Sequence, residues 1–399
     1  MRLSRGALIA LFAATFLDEF ASGVAPVSAP DLADEFGLAP GFASGLVIAA
    51  YMSLALLVEA PILAWAERWR VRAVSASALA VLAAAMALSA AAPNVWVLLA
   101  ALALYGPASG IALAASEGTL VEARPHERER TLTRLTFAGI AGDALVPLLL
   151  LAAVPLGLGW RAVAWLAAAA ALALAVVHWR TPSLDRPFAL DGDGEVDDEG
   201  AGEGEPRPPL RELAHVVRNN PALVGWLAVA LVSELLDEVL VAFSAAHLAE
   251  FATPQQRMLV IGAWTLGDVV GIVLLDAALH RVRPLRALRF SAVVAALALV
   301  AFWLTRSPVL AALALGFVGA ASITFHPLLR ARAYAALPGR PAMVNAINAL
   351  LQPAHLASPL ALAWIAGAHG TSAAMGLLCL APIAVAVAAF RARDVHSAA

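Results

Sequence analysis

Five carboxylates stand where a membrane-crossing helix would ordinarily carry none. Asp18 and Glu19 fall near the middle of the apolar stretch 8–30, LIALFAATFLDEFASGVAPVSAP. Glu234, Asp237 and Glu238 fall in a second such stretch, 221–246, within the run ELLDEV. An ionised carboxylate at mid-bilayer costs about 2.5–3.5 kcal/mol on insertion scales, so a chain that carries several there has a use for them. Glu234 and Glu238 are four residues apart with Asp237 beside them, which on a continuous helix puts all three on one face. Glu234 has the alternative of hydrogen-bonding to a neighbouring helix. Asp18 and Glu19, about 100° apart, point two ways, one to a cavity and one to a neighbouring helix. Low dielectric and crowded like charge both favour the protonated carboxyl. That is the property a carrier needs to pick up and release protons, so Asp18, Glu19, Asp237 and Glu238 are the proton-coupling candidates. No arginine falls mid-span to pair with them, which also disfavours an anionic substrate.

These acids require a membrane scaffold, and the composition supplies one. Hydrophobic residues make up 62% of the 399 residues and charged residues 14%, against roughly half and a quarter in a soluble domain. The excess marks an all-α, multi-pass membrane protein. All 26 basic residues are arginine. The single cysteine, Cys379, excludes an intrachain disulfide and a cysteine metal cage. The first apolar stretch lacks a small-residue cleavage site and is expected to be retained. There is no P-loop for an ATP-driven engine and no HExxH, since residues 126–130 read HERER. No enzyme, cofactor or nucleic-acid partner is expected.

Apolar runs give twelve spans at roughly 7–30, 43–64, 72–91, 94–118, 133–154, 160–179, 221–246, 257–279, 287–304, 308–328, 342–366 and 371–390. With both termini cytoplasmic, 23 arginines fall inside and only Arg161, Arg257 and Arg306 outside, the bias the positive-inside rule demands. One missed span would scramble it. Residues 181–220 are acidic and rich in Gly and Pro, and read as a cytoplasmic linker between six-span bundles at 1–180 and 221–399. Asp191, Asp193, Glu195 and Asp197 faintly suggest a calcium loop. Val196 stands where its glycine is needed and Gly202 where its last glutamate is needed, so a solvated charge run is the better reading.

The two halves repeat. LVIAAY at 46–51 matches LVIGAW at 259–264, an offset of 213, which aligns Tyr51 with Trp264. Asp143 and Pro147 align with His355 and Pro359 at an offset of 212. Duplicated six-helix halves are a common construction of secondary transporters, with the substrate site near the midplane. Tyr51, Asp143, Trp264, Asp268 and His355 are the candidate substrate-lining residues, with packing the plain alternative for each. Glu59 and Glu117 lie nearer the cytoplasmic side. Glu67, Arg68 and Arg72, and by repeat Arg281 and Arg283, sit at cytoplasmic turns. There they could form salt bridges that gate the inner mouth, or simply set topology.

At this point the chain resembles the major facilitator superfamily over nearly its whole length. The basis is six plus six spans, the acidic central loop, and the basic turn after span 2, where residues 66–72 (AERWRVR) keep the acid–Arg core of that superfamily's signature. Leu63 and Arg70 replace its two glycines. Span 4, with YGPASG at 105–110, lacks the arginine that proton antiporters of the superfamily often carry. Span 5 has a loose version of their Gly/Pro motif in Gly139, Gly142 and Pro147. Residues 16–72 and the tripeptide Phe325-His326-Pro327 are similar to fosmidomycin-resistance-type drug exporters. The resemblance implies the major facilitator fold, alternating access, and a cavity lined by spans 1, 4, 7 and 10. The expectation is a monomeric inner (plasma) membrane transporter that exports a cationic or neutral small molecule by proton antiport. Uptake by proton symport is the runner-up, and a non-transporting sensor or scaffold on the same fold comes third.

Overall fold

The computed structural model describes residues 3–66, 69–123, 128–188, 210–337, 344, 347–348 and 351–392. Every regular element among them is helical. In chain order they are α1 (Arg5–Val27), α2 (Ala29–Phe36), α3 (Pro40–Ala66), α4 (Val71–Ala91), α5 (Val95–Ala123), α6 (Arg128–Ala153) and α7 (Trp160–Arg180). Then follow α8 (Leu210–Asn219), α9 (Pro221–Ser233), α10 (Glu238–Leu248), α11 (Pro254–Leu279), α12 (Pro284–Leu304), α13 (Pro308–Ser322) and α14 (Phe325–Ala336). The last three are α15 (Gln352–His369), α16 (Thr371–Leu378) and α17 (Leu380–Arg391). The starts are locally coded. Pro221, Pro254, Pro284 and Pro308 occupy the first helical position, where the missing N–H is not needed. Thr253 and Gln256 form a reciprocal capping box on α11.

Among the described residues, ten helical segments are long and apolar enough to cross a bilayer. Two of the twelve expected spans are not among these segments. Span 7 is divided between α9 and α10, and the first part of span 11 lies largely outside the described residues. The described chain forms two units, residues 1–38 with 46–201, and residues 202–399 with Ala39–Gly45. The expected linker is partly built. Residues 181–188 pair with the span 2–3 turn through Val71 N–H to Arg186 O (2.9 Å) and Phe188 N–H to Trp69 O (3.0 Å), burying Leu184 and Phe188. Residues 210–219 form α8, whose Val216 joins an apolar cluster with Leu223, Leu227 and Ala333. Asp191 to Asp197 lie outside the described residues.

The duplication is visible in the packing of each unit. A methyl group on Gly106 of α5 would overlap the backbone carbonyl of Tyr51 on α3. A methyl group on Gly319 of α13 would overlap the carbonyl of Trp264 on α11. Gly106 and Gly319 are separated by 213 residues, the same offset as Tyr51 and Trp264. Lipid supplies no hydrophobic force between helices, so close backbone approach through small residues is what holds them.

At the opposite end of each unit from the arginine-rich turns, an arginine clamps a Glu-Phe pair. Arg161 of α7 donates from Nε to Glu35 (2.9 Å) and from Nη2 to Ala92 O (2.7 Å), and lies over the Phe36 and Trp160 rings. Arg306 approaches Glu250 (3.5 Å) and His247 (3.1 Å) and lies over the Phe251 ring. Two of the three arginines assigned to the outer face are thus tied down by their own unit.

Gly106→Ala and Gly319→Ala should each lower the unfolding free energy by about 1–3 kcal/mol, as overpacking does. Gly225→Ala, with open space around it, should be neutral or slightly stabilising. Thermal melts of the three variants in detergent read the difference.

Candidate transport site

In the first unit, Asp18 is buried at 4% exposure on α1. Tyr105 of α5 donates its hydroxyl to both Asp18 O (2.8 Å) and Asp18 Oδ1 (3.0 Å). Ser109, one turn further along α5, brings a second hydroxyl towards this carboxyl. Tyr51 of α3 donates to Ser22 O (3.1 Å), and its ring packs 5.0 Å from that of Tyr105. Glu59 completes the group. Its carboxylate occupies the space that a side chain at Gly110 would take, and lies within electrostatic reach of Asp18. Two carboxyls, two phenols and a serine hydroxyl therefore converge from α1, α3 and α5.

Glu19 faces the other way, as the 100° step demands. It packs on Gly139 of α6, and one turn on, Asp143 of α6 lies beside Gly23 of α1. Glu19 and Asp143 thus share the α1–α6 seam, and each has a further polar or electrostatic contact. The resolved difference is that Asp18 belongs to the tyrosine cluster and Glu19 to a helix–helix seam.

The second unit departs from expectation in three ways. First, span 7 is not a continuous helix, so its three acids do not share a face. Residues Glu234–Leu236 form a 3-10 turn, Asp237 breaks the helix at φ −111°, ψ −126°, and Glu238 opens α10. Asp237 is exposed and Glu238 half-buried. Second, an arginine does reach this level. Span 10 continues past 328 as α14, which places Arg330 on the helix and within electrostatic reach of Glu234. Third, His355 of α15 pairs with Glu234 (Nδ1 to Oε2, 3.2 Å), while Asp143, its repeat partner, sits in the α1–α6 seam. Glu234 is therefore a paired group. Asp268 of α11 is buried at 5% exposure, close to Gly319 and within electrostatic reach of Asp237. One turn before it, Trp264 is buried, and its indole N–H has no hydrogen-bond partner among the described residues.

The gating candidates divide. Glu67 and Arg68 lie outside the described residues. Arg72 approaches Asp185 (3.7 Å) and lies over the Trp179 ring, 5.3 Å from its centroid. Arg281 and Arg283 are exposed. Glu117 is exposed as well. Sequence reasoning missed Tyr105, Ser109 and Arg330. It also missed His178, fully buried between Ser75 (3.0 Å) and Ala10 O (3.1 Å), where it ties α7 to α4 and α1. For Tyr105 and Ser109 a signal existed, because both stand in the span-4 run YGPASG noted for lacking arginine.

Residues 11–352 match the family described as Major Facilitator Superfamily. The chain belongs to the major facilitator superfamily. It is accordingly a transporter and not an enzyme, one that lies in a lipid bilayer and binds a small-molecule substrate. No curated protein matched the sequence. Among solved structures it is similar to a bacterial homologue of the human lysosomal transporter Spinster in an inward-facing, unoccupied conformation. That pair shares 16% identity and a TM-score of 0.68 over 96% of this chain and 94% of the other. It is similar to the nucleoside transporter NupG, at 14% identity and a TM-score of 0.72 over 96% and 99%. It is similar to a D-xylose–proton symporter, at 13% identity and a TM-score of 0.70 over 96% of each chain. At such identities these likenesses show the fold alone.

Tyr105→Phe removes both hydroxyl contacts to Asp18 and should cost about 1–2 kcal/mol of unfolding free energy, against about 1 kcal/mol or less for Tyr51→Phe, whose acceptor is a neutral carbonyl. Denaturant unfolding in mixed micelles compares the two.

Proposed function

We propose that this superfamily member moves a cationic or neutral, fairly apolar small molecule across the inner (plasma) membrane by alternating access, coupled to protons, with export by antiport as the direction. The observation that carries the reading is the cluster around Asp18. A buried carboxyl held by a phenol hydroxyl can exchange a proton without separating an ion pair. A protonated amine is the complementary ligand for Asp18 and Glu59, and the faces of Tyr51 and Tyr105 add cation–π attraction. The tyrosine and serine hydroxyls can reorient to donate or accept, so they hold the carboxyl in either protonation state.

In the second unit, Asp237 and Asp268 are the coupling and substrate groups. The indole N–H of Trp264, buried and without a partner among the described residues, can donate to an acceptor atom on the substrate once alternating access opens this level. The break at Asp237 has the form of the discontinuous helices that surround transporter sites, where backbone groups left over by the break face a ligand. Glu19, Glu238, Asp143 and His355 are supporting groups, with Glu19 and Asp143 transmitting motion along the α1–α6 seam. Arg72, Arg281, Arg283 and the Glu67–Arg68 turn are assigned to gating. Proton symport in the uptake direction uses the same residues and is the second reading.

The test uses proteoliposomes with an imposed pH gradient and two probes, ethidium and tetraphenylphosphonium. Proton movement triggered by either probe should fall to the empty-liposome level in Asp18→Asn and in the Asp18→Asn/Glu19→Gln double variant, with correctly folded protein by size exclusion. Wild-type rates in the double variant would refute the assignment. Probe movement down the proton gradient, in the same direction as the protons, would replace antiport with symport.

A further inference from the structure

The second unit carries a cleft on its surface that the transport cluster does not use. Val293, Ala296 and Leu297 of α12 form one wall, and Ile383, Ala386, Val387, Phe390 and Arg391 of α17 form the other, around a volume of about 440 Å³. The two helices run in opposite directions and pack together. From Ile383 to Arg391 the cleft therefore extends about 12 Å along the helix axes. Its walls are hydrocarbon over that length, with Leu297 68% and Phe390 60% exposed.

Charge is confined to one end. Arg391 lines the cleft, is exposed, and has no acidic partner among the described residues. Arg289 is already occupied. It donates to Ala389 O (2.9 Å) and Ala392 O (2.8 Å), closes the end of α17, and lies over the Phe390 ring. Arg286, exposed, stands one turn before Phe290 on the face that continues through Val293 and Leu297. An open apolar groove with Arg391 at one end and Arg286 on the continuing face, neither with an acidic partner among the described residues, has the shape and charge to hold one lipid. An acyl chain fills the slot and a phosphate-bearing head meets the arginines. This is the arginine-rich end of the unit, which the charge distribution assigns to the cytoplasmic leaflet, where anionic lipids are held by basic pockets between helices.

We propose that the α12–α17 cleft is a binding site for one anionic phospholipid, with Arg391 and Arg286 holding the headgroup and Ala296 and Ala386 leaving room for the chain. The small side chains at 296 and 386 are half-buried between larger neighbours, Val293 and Leu297 on one helix and Ile383 and Val387 on the other. The opening between the helices is therefore set by the alanines. The role of Arg289 is structural, because its donors end on backbone carbonyls.

The experiment is native mass spectrometry of the full chain, delipidated in a neutral detergent and offered equal amounts of phosphatidylglycerol and phosphatidylethanolamine. One adduct with phosphatidylglycerol preferred is expected. Arg391→Gln and Arg286→Gln should each cut that preference about fivefold, as expected for one basic residue at an anionic surface. Ala296→Phe/Ala386→Phe keeps the charges and should abolish the single tight adduct by filling the slot. Arg391 and Arg286 are exposed, so the melting temperatures of their variants should stay near wild type. If the double phenylalanine variant fails to fold, the two surface arginine variants decide the matter alone. Equal binding of the two lipids by the wild type, or a preference unchanged by Arg391→Gln and Arg286→Gln, would overturn the proposal.

Discussion

The contact on which the account depends is the double hydrogen bond from the Tyr105 hydroxyl to Asp18. A carboxyl group with 4% exposure inside an apolar helix bundle needs a partner, because an unsatisfied buried polar group costs free energy and an ionised one costs more. An arginine would satisfy it and fix it as an anion. A phenol satisfies it in both states. The surrounding geometry follows from this choice. Tyr105 can reach α1 because Gly106, the next residue, lets α5 lie against the Tyr51 carbonyl of α3. Tyr51 in turn spans back to Ser22 on α1. Three helices are thereby stitched by two phenols and a glycine, with the carboxyl at the join.

The two units use the same framework for different chemistry. Each keeps the glycine-to-carbonyl crossing, at Gly106 and Gly319, beneath an aromatic residue, Tyr51 or Trp264. Each keeps a Glu-Phe pair held by an arginine at the end away from the basic turns. The acids have diverged. The first unit presents Asp18 on an unbroken helix among hydroxyls. The second breaks its helix at Asp237 and balances Glu234 with His355 and Arg330. The Asp18 cluster is therefore built from carboxyls and hydroxyls, and the second unit holds a compensated cluster beside two aspartates. Arg330 also qualifies the expectation that no cation enters the bundle.

Much of this was legible in the sequence because membrane constraints are coarse and strong. Span count and orientation follow from apolar run length and from arginine placement, neither of which needs side-chain detail. The repeat was legible at Tyr51 and Trp264, and its packing consequence at Gly106 and Gly319 sits at the same offset of 213. What failed was local. The segment SELLDEVL has neither Pro nor Gly, so nothing in its own residues announces a break. The end of span 10 was misplaced because His326-Pro327 and the arginines beyond it look like a boundary. Pro327 instead occupies the first turn of α14, where proline is tolerated, and the helix carries Arg330 onward. Tyr105 and Ser109 were passed over because hydroxyls carry little weight beside charges in a scan for chemistry. In a low-dielectric setting they are the groups that make a buried carboxyl usable.

The most direct measurement is the carboxyl C=O stretch of Asp18, followed by infrared difference spectroscopy of the protein in lipid as the bulk pH is stepped. The account predicts a protonated-carboxyl band that appears on acidification, shifts in Tyr105→Phe as its hydrogen bond is lost, and is absent in Asp18→Asn. A difference spectrum that is identical in wild type and Asp18→Asn would show that this side chain exchanges no proton, and would contradict it.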